Sequence, residues 1–144
     1  MKAFTYSLEK VLRLKKYYED EAKIELGKHV GALAEIENKI FATAEEIGRA
    51  QTAQFNPQNT AADMQQYMFY LMRLDSNKEQ LLREAVLAEI KVEEAREVFI
   101  EASRERKVLD NLKDKRYKEY RKMALLEETK ALDDVSASRV SNIY

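Results

Sequence analysis

The chain has no cysteine and no tryptophan, one proline, three glycines and one histidine in 144 residues. Without thiols there is no disulfide and no thiolate metal site, which fits a reducing compartment. With so few breakers, the simplest course for the backbone is long uninterrupted helix. No run approaches the roughly 18 consecutive apolar residues of a membrane span. The opening stretch MKAFTYSLEKVLRLKK lacks the apolar core and small-residue cleavage site of a secretory signal. The expectation is a cytoplasmic protein with no direct membrane insertion.

Catalytic signatures are missing too. There is no GxxxxGK[ST], no HExxH and no GxSxG, hence no phosphate cradle, zinc site or nucleophile elbow to propose. His29 has no second His or Cys at ligand spacing and reads as a partly buried seam residue. Glutamates at helical spacing read as solvated faces with i,i+4 ion pairs. The sequence therefore predicts no enzyme, no cofactor and no metal.

What is present is charge: 35 % of residues are Asp, Glu, Lys or Arg, and Ala, Leu, Glu, Lys and Arg dominate, all good helix formers. The one strong breaker segment is QTAQFNPQNTAA at 51–62, where Asn56 precedes Pro57 and is steered away from helix. Thr60 followed by Asp63 resembles a capping box with Asp in place of Glu. The spacing predicts a first helix over about 6–50, a loop over 51–62, a second helix over about 63–136 and a frayed tail over 137–144, all one elongated domain.

Both arms carry heptads. Leu12, Leu26, Leu33, Ile40 and Ile47 share one seven-residue column, interrupted by Glu19, with Leu8, Ala22 and Ile36 on the neighbouring one. In the second arm Tyr67, Leu74, Leu81, Ala88, Ala95, Ala102, Leu109 and Met123 share a column broken by Arg116, beside Met64, Leu71, Ala85, Val92 and Phe99. Such columns predict an all-α antiparallel coiled-coil hairpin. At 1.5 Å per residue the helices would be about 68 and 110 Å long, so the second overhangs the first by about 40 Å. A two-helix seam encloses no shaped cavity, which makes surface recognition the default role.

Charge is segregated although the formal net charge is −1. Residues 1–16 hold five bases against Glu9, and 104–122 hold nine bases against four acids. Residues 17–50 hold eight acids against four bases, and 84–101 six against two. Folding at the loop brings the two basic segments together. The overhang interleaves these bases with Val108, Leu109, Leu112, Tyr117, Tyr120, Met123, Leu125 and Leu126, for which the first arm offers no partner. That pattern suits an acidic protein ring. Nucleic acid is disfavoured by the acidic middle and a pI near 6.0.

A second candidate surface lies at MQQYMFYLMRL, 64–74. With Tyr67, Leu71 and Leu74 on the seam, Phe69 and Met72 project outward, flanked by Met68 and Tyr70. Either these side chains pack on the loop, for instance on Phe55, or they form an adaptable docking patch.

The opening Phe4-Thr-Tyr6-Ser-Leu8-Glu-Lys-Val-Leu12-Arg-Leu14-Lys-Lys, followed by Glu19, Ala22 and Leu26, resembles the start of the FliJ family of flagellar type III export proteins. The far end, Lys107-Val-Leu109-Asp-Asn-Leu112-Lys-Asp-Lys-Arg116-Tyr, then Tyr120 and Leu132-Asp133-Asp134-Val135-Ser-Ala-Ser-Arg139, is similar to the family's closing pattern. Asp134 stands where Glu is commoner, and the chain is unusually rich in Tyr. The resemblance implies a coiled coil similar to the central stalk of rotary ATP synthases, inserted into the hexameric ring of the flagellar export ATPase. It also implies contact with the large export-gate membrane protein and with export chaperones, at the cytoplasmic face of the export apparatus. Carried onto this chain, Lys10, Arg13, Lys107, Arg116 and Arg121 would meet the ATPase. Exposure makes Met68, Phe69, Tyr70 and Met72 the candidate gate or chaperone patch. The competing readings are a structural coiled-coil dimer and a helical secretion chaperone, with the free protein a monomer or weak dimer.

Overall fold

The computed structural model describes residues 2–143. Two helices, α1 (Glu9–Gln54) and α2 (Ala61–Ile143), form an all-α antiparallel hairpin, with no strand among the described residues. Each helix contributes to two compact units, one of residues 2–20 with 101–143, the other of residues 21–100. Among the described residues no helix is long and apolar enough to cross a membrane.

The connection is shorter than the breaker composition predicts, six residues between Gln54 and Ala61. It can be short because its own side chains satisfy the helix ends. The Asn59 amide nitrogen donates to the carbonyls of Ala53 at 2.6 Å and Gln54 at 3.2 Å, closing α1. Asn56 Oδ1 accepts from the Gln58 N–H at 3.0 Å, making the Asx turn that bends the chain around Pro57. Thr60 then opens α2 as the capping box requires: Asp63 N–H donates to Thr60 Oγ1 at 3.2 Å, and Thr60 N–H to Asp63 Oδ2 at 3.0 Å. The Thr60 N–H holds the Asp63 carboxyl below its ordinary range.

In the second unit the heptad columns face one another. Ala22 and Ala50 of α1 and Leu74, Ala85, Val92 and Ala95 of α2 are buried, and Leu26, Leu33, Ile36, Ile40 and Leu81 are half-buried between them. Small residues dominate the buried set, which lets the helix backbones approach closely. His29 occupies its seam position half-buried, with Nε2 3.2 Å from Glu25 Oε1 one turn earlier. Lys78 takes a seam place between Leu74 and Leu81 and is likewise half-buried.

The first unit is built differently. Leu12 is fully buried, and next to it the seam positions are charged: Lys15 and Glu19 on α1, Arg106 and Lys113 on α2. Here α1 starts at Glu9, three residues later than the apolar pattern predicts, and residues 2–8 lie outside the helix. The reason is Tyr6. Its ring is buried and its hydroxyl donates to the Leu109 carbonyl at 3.1 Å, while its own carbonyl accepts from Glu9 N–H. A helical backbone at residue 6 would give up that anchorage. At the other end, α2 continues through 137–143, where a tail was expected, because Ser136 to Ile143 contains small and branched residues but no Gly or Pro to stop it.

Leu12 is the one large side chain with no solvent exposure among the described residues, so Leu12→Ala should cost about 2–4 kcal/mol in urea unfolding. The exposed Phe69→Ala should change stability by less than about 0.5 kcal/mol.

Candidate functional site: two recognition surfaces

The first surface is the basic face of the first unit. Its foundation is an ion-pair ladder across the seam. Arg106 Nε donates to Glu19 Oε2 at 2.7 Å, and Arg106 Nη1 to Asp110 Oδ2 at 2.6 Å, both half-buried. Lys15 Nζ meets Glu105 Oε2 at 2.8 Å. Lys113 Nζ lies 2.8 Å from Glu9 Oε2, whose other oxygen faces Arg13 Nε at 3.8 Å. The Glu19 and Glu9 carboxyls are held below the ordinary glutamate range. The Arg106 hydrogen bond dominates for Glu19, and the Lys113 ammonium for Glu9, each opposed by partial desolvation. Arg106 is raised in turn by Glu19 and Asp110.

Above the ladder, residues 2–8 form a strap along α2. Phe4 packs edge-on against Tyr117 with centroids 5.2 Å apart and lies 5.5 Å from Tyr120; the two tyrosines stack at 6.4 Å. The Tyr120 hydroxyl donates to the Lys2 carbonyl at 2.8 Å. Arg116 donates to Ser7 Oγ at 2.9 Å and holds its guanidinium 5.6 Å over the Tyr6 ring. The expectation that Leu109, Tyr117 and Tyr120 find no partner from the first arm is therefore corrected. The non-helical strap meets all three, and α1 itself extends past Leu109, since its first residue, Glu9, pairs with Lys113.

Of the five basic residues singled out from the sequence, all five fall in the first unit, in unequal states. Arg116 is engaged by the strap and Arg13 leans on Glu9. Lys10, Lys107 and Arg121 are exposed and have no ion-pair partner within 4 Å among the described residues. Sequence reasoning missed the seam charges and the strap. The signal for the seam charges was the break of the Leu12 column at Glu19, matched by a basic residue, Arg106, at a heptad position of the other arm. No periodic signal marks the strap, since it has no repeat.

The second surface belongs to the second unit. Met68, Phe69 and Met72 are exposed, Met72 to 61 %. Tyr70 differs: it is half-buried, and its hydroxyl donates to Glu46 Oε1 at 3.0 Å, a carboxylate also gripped by Arg49 Nη2 at 2.9 Å. Arg49 and then Tyr70 pull the Glu46 carboxyl below its ordinary range, and Glu46 pushes the Tyr70 phenol up. Tyr70 thus braces the patch and Met68, Phe69 and Met72 are its free surface. Phe55 is itself 73 % exposed, so it does not cover them.

Among the described residues no group of three or more His, Asp or Glu side chains converges as a metal site would require. The clefts, such as the one lined by Ala22, His29, Lys91 and Val98, are open grooves beside the seam. The family model of the flagellar FliJ protein matches residues 4–142, and the chain belongs to that family. FliJ is a component of flagellar protein export, and the family is non-catalytic. No curated protein and no solved structure matches the chain.

The lowered carboxylates have a signed consequence. Unfolded, Glu9 and Glu19 titrate near 4.5; folded, they titrate lower, so the unfolded chain binds more protons in acid. Their contribution to stability is complete above that range and is lost as pH falls through the folded values. The thermal midpoint is expected to stay level from about pH 7 to 5 and to drop below about pH 4.5. Glu9→Gln with Glu19→Gln should start lower and show a shallower acid limb. An acid limb unchanged by both substitutions would place the titrating groups elsewhere.

Proposed function

We propose that this chain acts as a stalk-like subunit of the flagellar export ATPase, binding the ATPase ring through the basic face of its first unit and promoting ring assembly and turnover. Family membership supports the setting. The single observation that carries the contact is the set of exposed, unpaired cations Lys10, Lys107 and Arg121 beside a strap that orders the surface around them. Cations with no ion-pair partner within 4 Å lose little on meeting an acidic partner, whereas Arg116 and Arg13 would first have to leave their own partners. Arg116 is therefore a positioning group in this reading, and the contact is made by the other three.

Such a subunit performs no chemistry of its own. A helical hairpin seated asymmetrically in a ring binds some subunit conformations better than others and shifts their equilibrium by the difference in affinity. Coupling of nucleotide turnover to assembly then needs nothing beyond contact. The patch of Met68, Phe69 and Met72 is the proposed site for the large export-gate protein or an export chaperone, since flexible thioethers and an exposed ring fit partners of varied shape. Both assignments place the chain in the cytoplasm, peripherally held at the export apparatus.

Titrating the protein into the export ATPase while following hydrolysis and hexamer formation tests the first assignment. Stimulation is expected, and Lys10→Gln, Lys107→Gln and Arg121→Gln together should slow association by roughly tenfold at low salt and flatten its salt dependence. Helicity should not change. Wild-type stimulation by the triple variant would remove these residues from the contact. For the patch, Phe69→Ser with Met72→Ser should abolish capture of the gate protein's cytoplasmic portion, or of a chaperone, and leave the ATPase effect intact. Retention of both would refute the assignment.

A further inference from the structure

Every described side chain from Leu125 to Asn142 is exposed, although the helix carries large apolar groups there. Tyr117, Leu125, Leu132 and Val135 lie within about 80° of one another around α2 at 100° per residue, a stripe that meets the strap at Tyr117, where Phe4 packs. They are 44, 58, 63 and 50 % exposed. The stripe also carries Arg121 and Glu128, a base and an acid one heptad apart.

The charges around the stripe form two blocks. Residues 115–122 contain five bases against Glu119, and residues 127–134 contain four acids against Lys130. The blocks are equal in length and centred equally far from the step between Ala124 and Leu125. This arrangement is complementary to itself under a two-fold axis: a second copy laid antiparallel about that step sets basic block on acidic block twice over. Arg121 then faces Glu128, and Tyr117 faces Leu132. A parallel alignment would set like on like and is repelled.

We propose that this face of α2 binds a second copy of the chain, antiparallel about a dyad between Ala124 and Leu125. The interface is isologous, so each favourable pair occurs twice and the contact closes at a dimer without propagating. Leu125, Leu132 and Val135 supply burial and the two charge blocks supply direction and register. The stripe shares Tyr117 with the strap, where Phe4 packs, while Tyr120 and Arg116 lie off it around the helix. The proposal stands independently of the ATPase reading, although Arg121 serves in both, and the dimer would withhold that residue from the ring.

Sedimentation equilibrium of the full chain, over a hundredfold range of concentration and at two salt concentrations, tests it. A reversible dimer that weakens with salt is expected. Arg121→Glu and Glu128→Lys should each weaken it at least tenfold by setting like charges opposite. The combined variant, which restores opposite signs across the dyad, should return to within a few-fold of the original affinity. Leu125→Ser with Leu132→Ser should abolish the dimer while circular dichroism stays helical. A protein monomeric at every concentration, a dimer indifferent to these substitutions, or charge variants whose combination only adds their defects would each overturn the proposal.

Discussion

A seam between two helices is only two side chains wide, so the pairing register is decided by a handful of contacts that cannot be exchanged for others. In the first unit that contact is Arg106, clamped between Glu19 across the seam and Asp110 one turn along its own helix. Apolar side chains tolerate sliding by a heptad, because Leu against Ala and Ala against Leu bury similar areas. A half-buried guanidinium facing a carboxylate across the seam does not: a one-heptad slip keeps Arg106 on Asp110 but parts it from Glu19 and leaves that carboxylate partly desolvated and unpaired. The remaining ion pairs, Lys15 with Glu105 and Lys113 with Glu9, are compatible only with the register that Arg106 sets. The price is a locally weaker core, and Leu12 compensates by being wholly enclosed.

Register in turn positions the strap. Only when Leu109 stands opposite residue 6 can Tyr6 reach its carbonyl, and only then do Phe4 and Lys2 fall beside Tyr117 and Tyr120. The strap replaces a turn of helix with aromatic contacts and three side-chain hydrogen bonds. It also fixes Arg116, adding it to the cations of the basic face that already have partners. The second unit has no such arrangement: its alanine-rich seam carries few charges, and its exposed Met and Phe face is braced from behind by Tyr70 on Glu46.

Most of the fold was legible because heptads are a periodic signal, and periodicity survives individual exceptions. The column through Leu12 faced inward, and that through Leu74 did so as far as Leu109 but not at Met123, which is exposed; Thr60 with Asp63 capped α2 as the residue types demanded. The ends were not legible. Where α1 begins depends on a tertiary bond from Tyr6, which helix propensity does not contain. Where it ends depends on Asn59 reaching back to two carbonyls, so the connection could be half as long as its composition suggests. For the candidate surfaces, residue type identified Lys10, Lys107, Arg121, Met68, Phe69 and Met72. Separating them from Arg116 and Tyr70, which the protein uses internally, required side-chain partners that no spacing reveals.

In a hairpin the sequence distance between facing residues grows steadily away from the turn. Tyr70 and Glu46 are separated by 24 residues, Arg106 and Glu19 by 87, and Tyr120 and Lys2 by 118. Closing the longer loops costs more chain entropy, and most of that cost disappears once the shorter ones have closed. The chain is thereby built to zip from the turn, with the helix pair forming first and the aromatic strap seated last. Read in reverse, the strap is the first element to let go, so the face that carries the free cations is also the one on which the protein can change its shape most cheaply.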